Sequence, residues 1–224
     1  MNNRIAIAAA SIGFIAIASI VISNALKKNK KKRLLIEINQ EIKSDQTVLK
    51  DDLIKEQLSR NISFLGKSKQ ENVDKSFIIV VGLGGVGSHA VHMLLRSGVT
   101  RIRLIDFDQV TLSSLNRHAV AKRADVGISK VSTMKKHLLE IIPNAHIDAV
   151  AEMFSKESAA IMLDGNPDFV LDCIDNIQTK IDLLEYCFKN KIRVVSSMGS
   201  GAKADPTRIH ISDISETFGN NNLS

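Results

Sequence analysis

Short apolar runs alternate with amphipathic stretches over most of the chain, and this alternation predicts the fold. The run Phe77–Val81 contains no polar residue, as expected for a strand buried on both faces of a parallel sheet. The remaining elements follow in alternation, with strands at 101–105, 146–150, 169–172 and 193–197 and helices at 130–142, 156–163 and 177–190. The alternation favours an α/β fold: a doubly wound, Rossmann-like, mostly parallel sheet with helices on both faces.

The first 33 residues have a different pattern. Residues 5–26 carry no charge, and about 20 apolar residues suffice for a helix to cross a hydrocarbon core of roughly 30 Å. A basic cluster at 27–33 follows directly, and an excess of lysine and arginine marks the cytosolic side of a membrane helix. The pattern predicts an N-terminal transmembrane helix with the body of the protein in the cytosol. A cleaved signal peptide is the alternative.

Charge is distributed unevenly along the chain. The formal net charge of the 224 residues is +6, but seven bases precede the first acid, Glu37. The rest of the chain carries 23 bases against 24 acids. This balance gives no reason to assign nucleic-acid binding to the folded part.

A glycine-rich turn follows the first predicted strand. Four glycines form it: Gly82, Gly84, Gly85 and Gly87. Glycines let backbone N–H groups approach phosphate oxygens, and the helix that follows adds the partial charge of its N-terminus. Asp106 ends the next strand, with Asp108 two residues later, where an acid can hold ribose hydroxyls. Dinucleotide dehydrogenases and ATP-using enzymes both fit these features.

Further motifs follow in a fixed order. They are Leu-Ser-Ser-Leu-Asn-Arg-His at 112–118, Asp-Val-Gly-Ile-Ser-Lys-Val at 125–131 and Asp-Phe-Val-Leu-Asp-Cys-Ile-Asp-Asn at 168–176. With the glycine turn, this order resembles the ubiquitin-activating-enzyme-like superfamily, the adenylating enzymes related to ThiF and MoeB. The segment 193–209, with Gly-x-Gly-x-x-x-Asp-Pro-Thr at 199–207, resembles the tRNA threonylcarbamoyladenosine dehydratase branch of that superfamily.

The resemblance implies an ATP-dependent dehydratase that acts on tRNA. In that reaction the carboxylate of threonylcarbamoyladenosine attacks the α-phosphate of ATP, pyrophosphate leaves, and the activated group closes into a ring with net loss of water. ATP and Mg²⁺ are the implied cofactors, tRNA the partner and a homodimer the assembly. Two alternatives stay open: an adenylating enzyme for the C-terminus of a ubiquitin-like or sulfur-carrier protein, and a non-catalytic, nucleotide-binding, membrane-tethered fragment.

The resemblance also implies the catalytic residues. Arg117 and Lys130 match the basic pair that contacts the phosphates, and Asp175 matches the acid that coordinates the metal. A guanidinium offers a fixed bidentate fork and an ammonium a mobile point charge, so the pair suits a polyphosphate. One carboxylate plus phosphate oxygens suits Mg²⁺.

Other residues are implied in nucleotide binding. The four glycines would line the phosphates and adenosine, and Asp106 with Asp108 would hold the ribose. Ser114 stands where the superfamily usually has asparagine, and Asn116 is the candidate to replace that function. Arg60 resembles the arginine that family dimers donate across the subunit interface.

The resemblance suggests how the whole chain is organised. We divide it into an anchor with its basic flank (1–33), a helical linker (34–71), an ATP-binding adenylation domain (72–218) and a tail (219–224). Members of the branch continue well past this point, so the domain is expected to be incomplete at its C-terminus. Fungal members carry a similar anchor, which predicts the mitochondrial outer membrane as the location. Cys173 and Cys187 lie in apolar patterns and are expected in the core.

Overall fold

The computed structural model describes residues 53–198, 205, 207 and 209–216. The chain divides into two compact units, residues 1–59 and residues 60–224. The predicted anchor at 5–26, its basic flank and the tail at 219–224 lie outside the described residues. Within the described ranges, no helix is long and apolar enough to cross a membrane.

The described residues form alternating helices and strands after a first helical stretch. The strands are β1 (Phe77–Val81), β2 (Arg101–Ile105), β3 (His146–Val150), β4 (Phe169–Asp172) and β5 (Val194–Ser196). The helices from residue 59 onward are α1 (Ser59–Leu65), α2 (Lys67–Lys75), α3 (Gly85–Arg96), α4 (Lys130–Ile141), α5 (Ala159–Met162) and α6 (Ile177–Lys189). Single 3₁₀ turns occur at Leu112–Ser114, Arg123–Asp125 and Ile214–Glu216.

The strands form one parallel sheet in the order β3-β2-β1-β4-β5. From β1 the chain first builds outward through β2 and β3, and then returns to the other side of β1 for β4 and β5. This reversal is the doubly wound topology, so the predicted α/β class and parallel Rossmann-like sheet are confirmed.

Helices cover both faces of the sheet, and β1 contributes to both cores. All five residues of β1 are buried. Ile78 and Val80 face the core beneath α3 and α4, whereas Ile79 and Val81 face the core beneath α5 and α6. Successive strand side chains point to opposite faces, so a strand buried on both sides must be apolar throughout. This requirement explains why β1 is an unbroken apolar run.

One predicted helix is shorter than expected. The pattern at 156–163 predicts two turns, but α5 begins only at Ala159. The hydroxyl of Ser158 accepts the backbone N–H of Ser155 and donates to the Ser155 carbonyl. Serine side chains that bond nearby backbone groups offer the chain an alternative to a helix, and here they hold residues 155–158 in a turn.

Candidate active site

The loops that follow β1 and β4 meet at the carboxyl edge of the sheet. These strands are neighbours at the point where the strand order reverses, which is where open α/β sheets bind ligands. A Cβ on Gly82 would lie 2.7 Å from the carbonyl oxygen of Cys173. The glycine turn therefore packs directly against the loop that carries Asp175.

The four glycines of the turn have two different reasons to be glycine. Gly82 has a φ of +90°, which favours glycine, and a Cβ on Gly87 would lie 1.8 Å from the Gly82 carbonyl oxygen. A Cβ on Gly84 would meet nothing within 4 Å, and one on Gly85 would lie 3.4 Å from the side chain of Arg117. Packing thus requires Gly82 and Gly87, whereas Gly84 leaves the backbone open at the start of α3.

The carboxylate of Asp106 fastens the glycine turn to the end of β2. Its Oδ2 accepts the backbone N–H of Leu83 at 2.6 Å, and its Oδ1 accepts that of Asp108 at 2.8 Å. Burial raises the pKa of Asp106, against the opposing effect of these two N–H donors and of Lys130. Each carboxylate oxygen has a second lone pair, so the predicted ribose contact stays chemically open.

Lys130 is the first residue of α4 and is buried beside the two acids. Its Nζ lies 2.6 Å from Asp108 Oδ2 and 3.9 Å from Asp106 Oδ2. Its backbone N–H donates to the Asp108 carbonyl at 2.9 Å, and an antiparallel bridge joins Gln109 to Ser129. A lysine at a helix N-terminus opposes the helix dipole, and the adjacent carboxylates offset that cost.

Arg117 and Lys130 both line one pocket. The exposed guanidinium of Arg117 donates to the Ser113 carbonyl at 2.8 Å and to Asn116 Oδ1 at 3.2 Å. The pocket has a volume of about 410 Å³. Its lining residues are Phe107, Asp108, Gln109, Thr111, Ser114, Arg117 and Lys130. The structure therefore brings the two predicted phosphate-binding cations together at the carboxyl edge of the sheet.

Ser114 and Asn116 are placed less directly for a ligand. Ser114 lines the pocket, but its buried hydroxyl donates to the Thr111 carbonyl and accepts the Thr111 N–H. Asn116 is exposed and its oxygen accepts from Arg117. Both side chains thus shape the loop that carries Arg117.

The other predicted acid, Asp175, is exposed on the loop after β4. Its carboxylate makes no hydrogen bond or ion pair with any described residue, and it does not line the 410 Å³ pocket. It lies two residues beyond Cys173, whose carbonyl packs on Gly82. Its segment therefore lies beside the glycine turn, with the carboxylate available to a ligand.

Arg60 lies at the far side of α3 from the glycine turn. The amide of its neighbour Asn61 donates to the Ser97 carbonyl, just past the last residue of α3. A helix of 12 residues is about 18 Å long, which separates this end from the glycine turn. Within one chain, Arg60 is not part of the pocket.

Sequence reasoning missed a buried network behind the site. Asp172 Oδ2 accepts from Lys180 Nζ at 2.7 Å and from Ser196 Oγ at 2.6 Å, and Lys180 also donates to the Ser197 carbonyl. Asp172 Oδ1 accepts the N–H of Ile174. The network joins β4, β5 and α6 and fixes the loop that precedes Asp175. An acid at a buried strand end, with a lysine in the next helix, is the signal that could have revealed it.

Ser88 and His118 hold the Arg117 loop and were also missed. Ser88 Oγ on α3 accepts the N–H of Ala119 at 3.0 Å. His118 Nδ1 accepts the N–H groups of Val120 and Ala121, while its buried Nε2 has no partner among the described residues. The ring that accepts these bonds must be neutral. Burial lowers the pKa of His118 to about 4, and the charge of Lys130 adds to that effect.

We expect His118 to make folding stability depend on pH. The pKa of His118 is 6.5 in the unfolded chain and about 4 in the folded protein. The neutral ring therefore contributes to the free energy of unfolding above pH 6.5, and this contribution is lost as the pH falls towards 4. Between pH 7.5 and pH 5 the loss is about 2 kcal/mol. Lys130 and His89 oppose protonation of the ring and Asp125 favours it.

Urea unfolding at both pH values tests this. His118→Gln keeps an acceptor for the two N–H groups but does not titrate, so its free energy of unfolding is expected to fall by about 2 kcal/mol less than that of the wild type. An equal fall in both proteins would contradict the assignment.

The two cysteines are part of the packing rather than reactive groups. Cys187 is fully buried, and Cys173 packs partly buried against the opposite core. Burial raises the pKa of each thiol to about 11. Since the thiolate is the reactive form, neither residue suits a nucleophilic role at neutral pH.

Asp205 and Thr207 of the Asp-Pro-Thr element are joined to each other. Asp205 Oδ1 accepts from the N–H and the hydroxyl of Thr207, and both residues are exposed. Neither of these two residues lines the pocket.

Comparison with known proteins gives a consistent family. The chain is 46% identical over 169 residues to tRNA threonylcarbamoyladenosine dehydratase 2 of Saccharomyces cerevisiae. The aligned region covers 75% of this chain and 38% of that relative. It is 32% identical over 188 residues to the molybdopterin-synthase adenylyltransferase of Escherichia coli, covering 81% of this chain and 73% of that relative. The chain thus spans well under half the length of the yeast relative.

Solved structures agree with the sequence relatives. The E. coli tRNA N6-threonylcarbamoyladenosine dehydratase, TcdA, in complex with ATP superposes with a TM-score of 0.72 at 32% identity, covering 74% of this chain and 68% of that chain. A sequence model of the ThiF family matches residues 58–222, the range that contains the sheet, the glycine turn and the pocket cations. By its sequence and its fold, this chain belongs to the ThiF family.

Proposed function

We propose that this chain carries the ATP site of a tRNA threonylcarbamoyladenosine dehydratase. The substrate carboxylate attacks the α-phosphorus of ATP, the bond from that phosphorus to the bridging oxygen breaks, and pyrophosphate leaves. Ring closure then expels AMP, which carries away the carboxylate oxygen. The observation that carries the proposal is the pocket that Arg117 and Lys130 line together, with the side chain of Arg117 next to Gly85 of the glycine turn.

The residues present fit a nucleoside triphosphate with a metal ion. Open backbone at Gly84, the N-terminus of α3 and two cations offer positive charge to phosphate oxygens. No cluster of three metal-ligating side chains occurs among the described residues. Mg²⁺ is commonly held by one or two carboxylates together with phosphate oxygens and water. Asp175 would supply the carboxylate for Mg²⁺, which offsets the charge of departing pyrophosphate when bound. The likeness to a TcdA structure that holds ATP supports the same site.

The direct test is a reaction with tRNA bearing threonylcarbamoyladenosine and Mg-ATP. The nucleosides are read by mass spectrometry, and AMP is measured in parallel. We expect the cyclised nucleoside and one AMP per cyclisation, and we expect neither without ATP. Since the chain spans part of its relatives' length, tight ATP binding by calorimetry is the companion readout. ATP binding without any acceptor-dependent AMP would support a non-catalytic, nucleotide-binding protein.

A second candidate is adenylation of the C-terminus of a sulfur-carrier or ubiquitin-like protein. The 32% identity to the molybdopterin-synthase adenylyltransferase over most of this chain favours it. The two activities use the same ATP chemistry and differ in the acceptor. Exchange of labelled pyrophosphate into ATP that depends on a small carrier protein, and not on tRNA, would select this candidate.

Assembly and location are further parts of the proposal. The resemblance of Arg60 to the arginine that family dimers donate across the subunit interface supports a homodimer, since Arg60 does not line the pocket of its own chain. The uncharged segment 5–26 with its basic flank supports a membrane anchor, with the body in the cytosol at the mitochondrial outer membrane. Cross-linking of the purified protein and carbonate extraction of mitochondria test these two points.

A further inference from the structure

The chain leaves the pocket at Arg117 and returns to it at Lys130, and the loop between these two cations faces solvent. We name residues 119–129 the rim loop. Lys122 and Arg123 lie in its middle, and both are exposed. The rim loop therefore joins two residues that line the pocket, and it carries this pair of cations between them.

The rim loop concentrates positive charge that the overall balance of the chain conceals. Residues 34–224 carry nearly equal numbers of acids and bases, but residues 117–130 contain four bases and one acid, Asp125. Lys130 is paired with Asp108, so the unbalanced charge lies on Arg117, Lys122 and Arg123. The Oδ2 of Asp125 is already used, because it accepts the backbone N–H of Lys122 at 2.8 Å. Within the described part of the chain, no ion pair engages the side chain of Lys122 or Arg123.

Backbone contacts hold the rim loop in one conformation. Its first residue is tied to Ser88 on α3 through the Ala119 N–H. Its later residues pair with Val110, which lies in sequence between two lining residues. The Val110 N–H donates to the Ile128 carbonyl at 2.8 Å, and the Gly127 N–H donates to the Val110 carbonyl at 2.9 Å. Because these bonds fix both ends of the loop, its backbone loses less conformational entropy when a partner binds.

We propose that the rim loop binds the phosphate backbone of the tRNA substrate beside the modified adenosine, through Lys122 and Arg123. This inference rests on the proposed function, which requires a carboxylate carried by an RNA nucleotide to reach the pocket. The phosphates on either side of that nucleotide then come close to the loop that joins the two pocket cations, and this loop carries Lys122 and Arg123. Such contacts position RNA without reading its sequence. They also explain how a domain without overall positive charge can engage a polyanion.

The test compares the full chain with the double variant Lys122→Gln/Arg123→Gln. We expect the affinity for tRNA bearing threonylcarbamoyladenosine to fall about tenfold at physiological salt, because two phosphate contacts and their released counterions are lost. The slope of log affinity against log salt concentration is expected to fall by about 1.4 to 1.8. The Kd for ATP is expected to be unchanged, since neither side chain lines the pocket.

The matched control is Lys67→Gln/Lys69→Gln, which removes two exposed charges from α2. That helix is anchored to Ser97 at the far end of α3 through Gln70. We expect the control to bind tRNA as the wild type does. Wild-type tRNA affinity and salt slope in the rim-loop variant would overturn the inference, and so would equal losses in both variants.

The two proposals can fail separately. If the rim-loop variant binds tRNA as the wild type does and still forms the cyclised product, the proposed function stands and tRNA binding by the rim loop is rejected. Rim-dependent tRNA binding without cyclised product or AMP would support the rim loop and reject the dehydratase activity.

Discussion

Gly87→Ala is expected to lower the free energy of unfolding by about 3 kcal/mol or more and to abolish ATP binding. Its added Cβ would lie 1.8 Å from the Gly82 carbonyl oxygen and 3.2 Å from the Cys173 side chain. Relief requires the backbone of the glycine turn to move away from α3, and the turn is also held by Asp106 through Leu83. Thermal unfolding and calorimetric titration with ATP measure the two effects.

Gly84→Ala is the matched control, three residues away in the same turn. Its φ of −73° suits alanine, and its Cβ would meet nothing within 4 Å. We expect its free energy of unfolding to stay within about 0.5 kcal/mol of the wild type. If both variants lost the same stability, the tight contact between Gly87 and Gly82 would not be the cause.

Arg117→Ala is expected to raise the Kd for ATP about 10- to 100-fold with little change in stability. Hydrogen bonds to charged groups contribute about 1.5 to 3 kcal/mol, and a guanidinium can give a phosphate two of them. The side chain is exposed and bonds only its own loop, so its removal leaves no buried group unpaired. Calorimetry at fixed ionic strength gives the Kd, and urea unfolding gives the stability.

Arg193→Ala is the comparison for this prediction. Arg193 is an exposed arginine just before β5, at the opposite edge of the sheet, where it stacks on the ring of Phe169. The Arg193→Ala substitution removes one positive charge, as Arg117→Ala does, but at a residue that does not line the pocket. We therefore expect its affinity for ATP to stay within twofold of the wild type. Equal weakening in both variants would mean that net charge, rather than a contact with phosphate, governs binding.

The sheet and the glycine turn could be predicted because their residues are constrained by local rules. The apolar run of β1 leaves few structures other than a strand buried on both faces. Gly82 and Gly87 sit where a side chain would collide with backbone, so their positions in the sequence identify the turn. The parallel order then places Arg117 and Lys130 at one edge through topology alone.

The supporting residues could not be predicted because their roles depend on long-range contacts. In the sequence, Lys180 has the pattern of an ordinary lysine in a helix. Only the folded sheet brings Asp172 of β4 and Ser196 of β5 into contact with it. Ser88 reads as a residue of the first helical turn, yet its hydroxyl anchors a loop 31 residues away. The short α5 has a local cause, since the hydroxyl of Ser158 bonds the backbone of Ser155 in place of a helical turn.

The ion pair between Lys130 and Asp108 has a consequence for the proposed binding of a polyphosphate. The lysine already has a resident counter-ion, so an arriving polyphosphate must compete with a tethered carboxylate for the same ammonium. We therefore expect a triphosphate to displace the Asp108 carboxylate from Lys130 more readily than a monophosphate does.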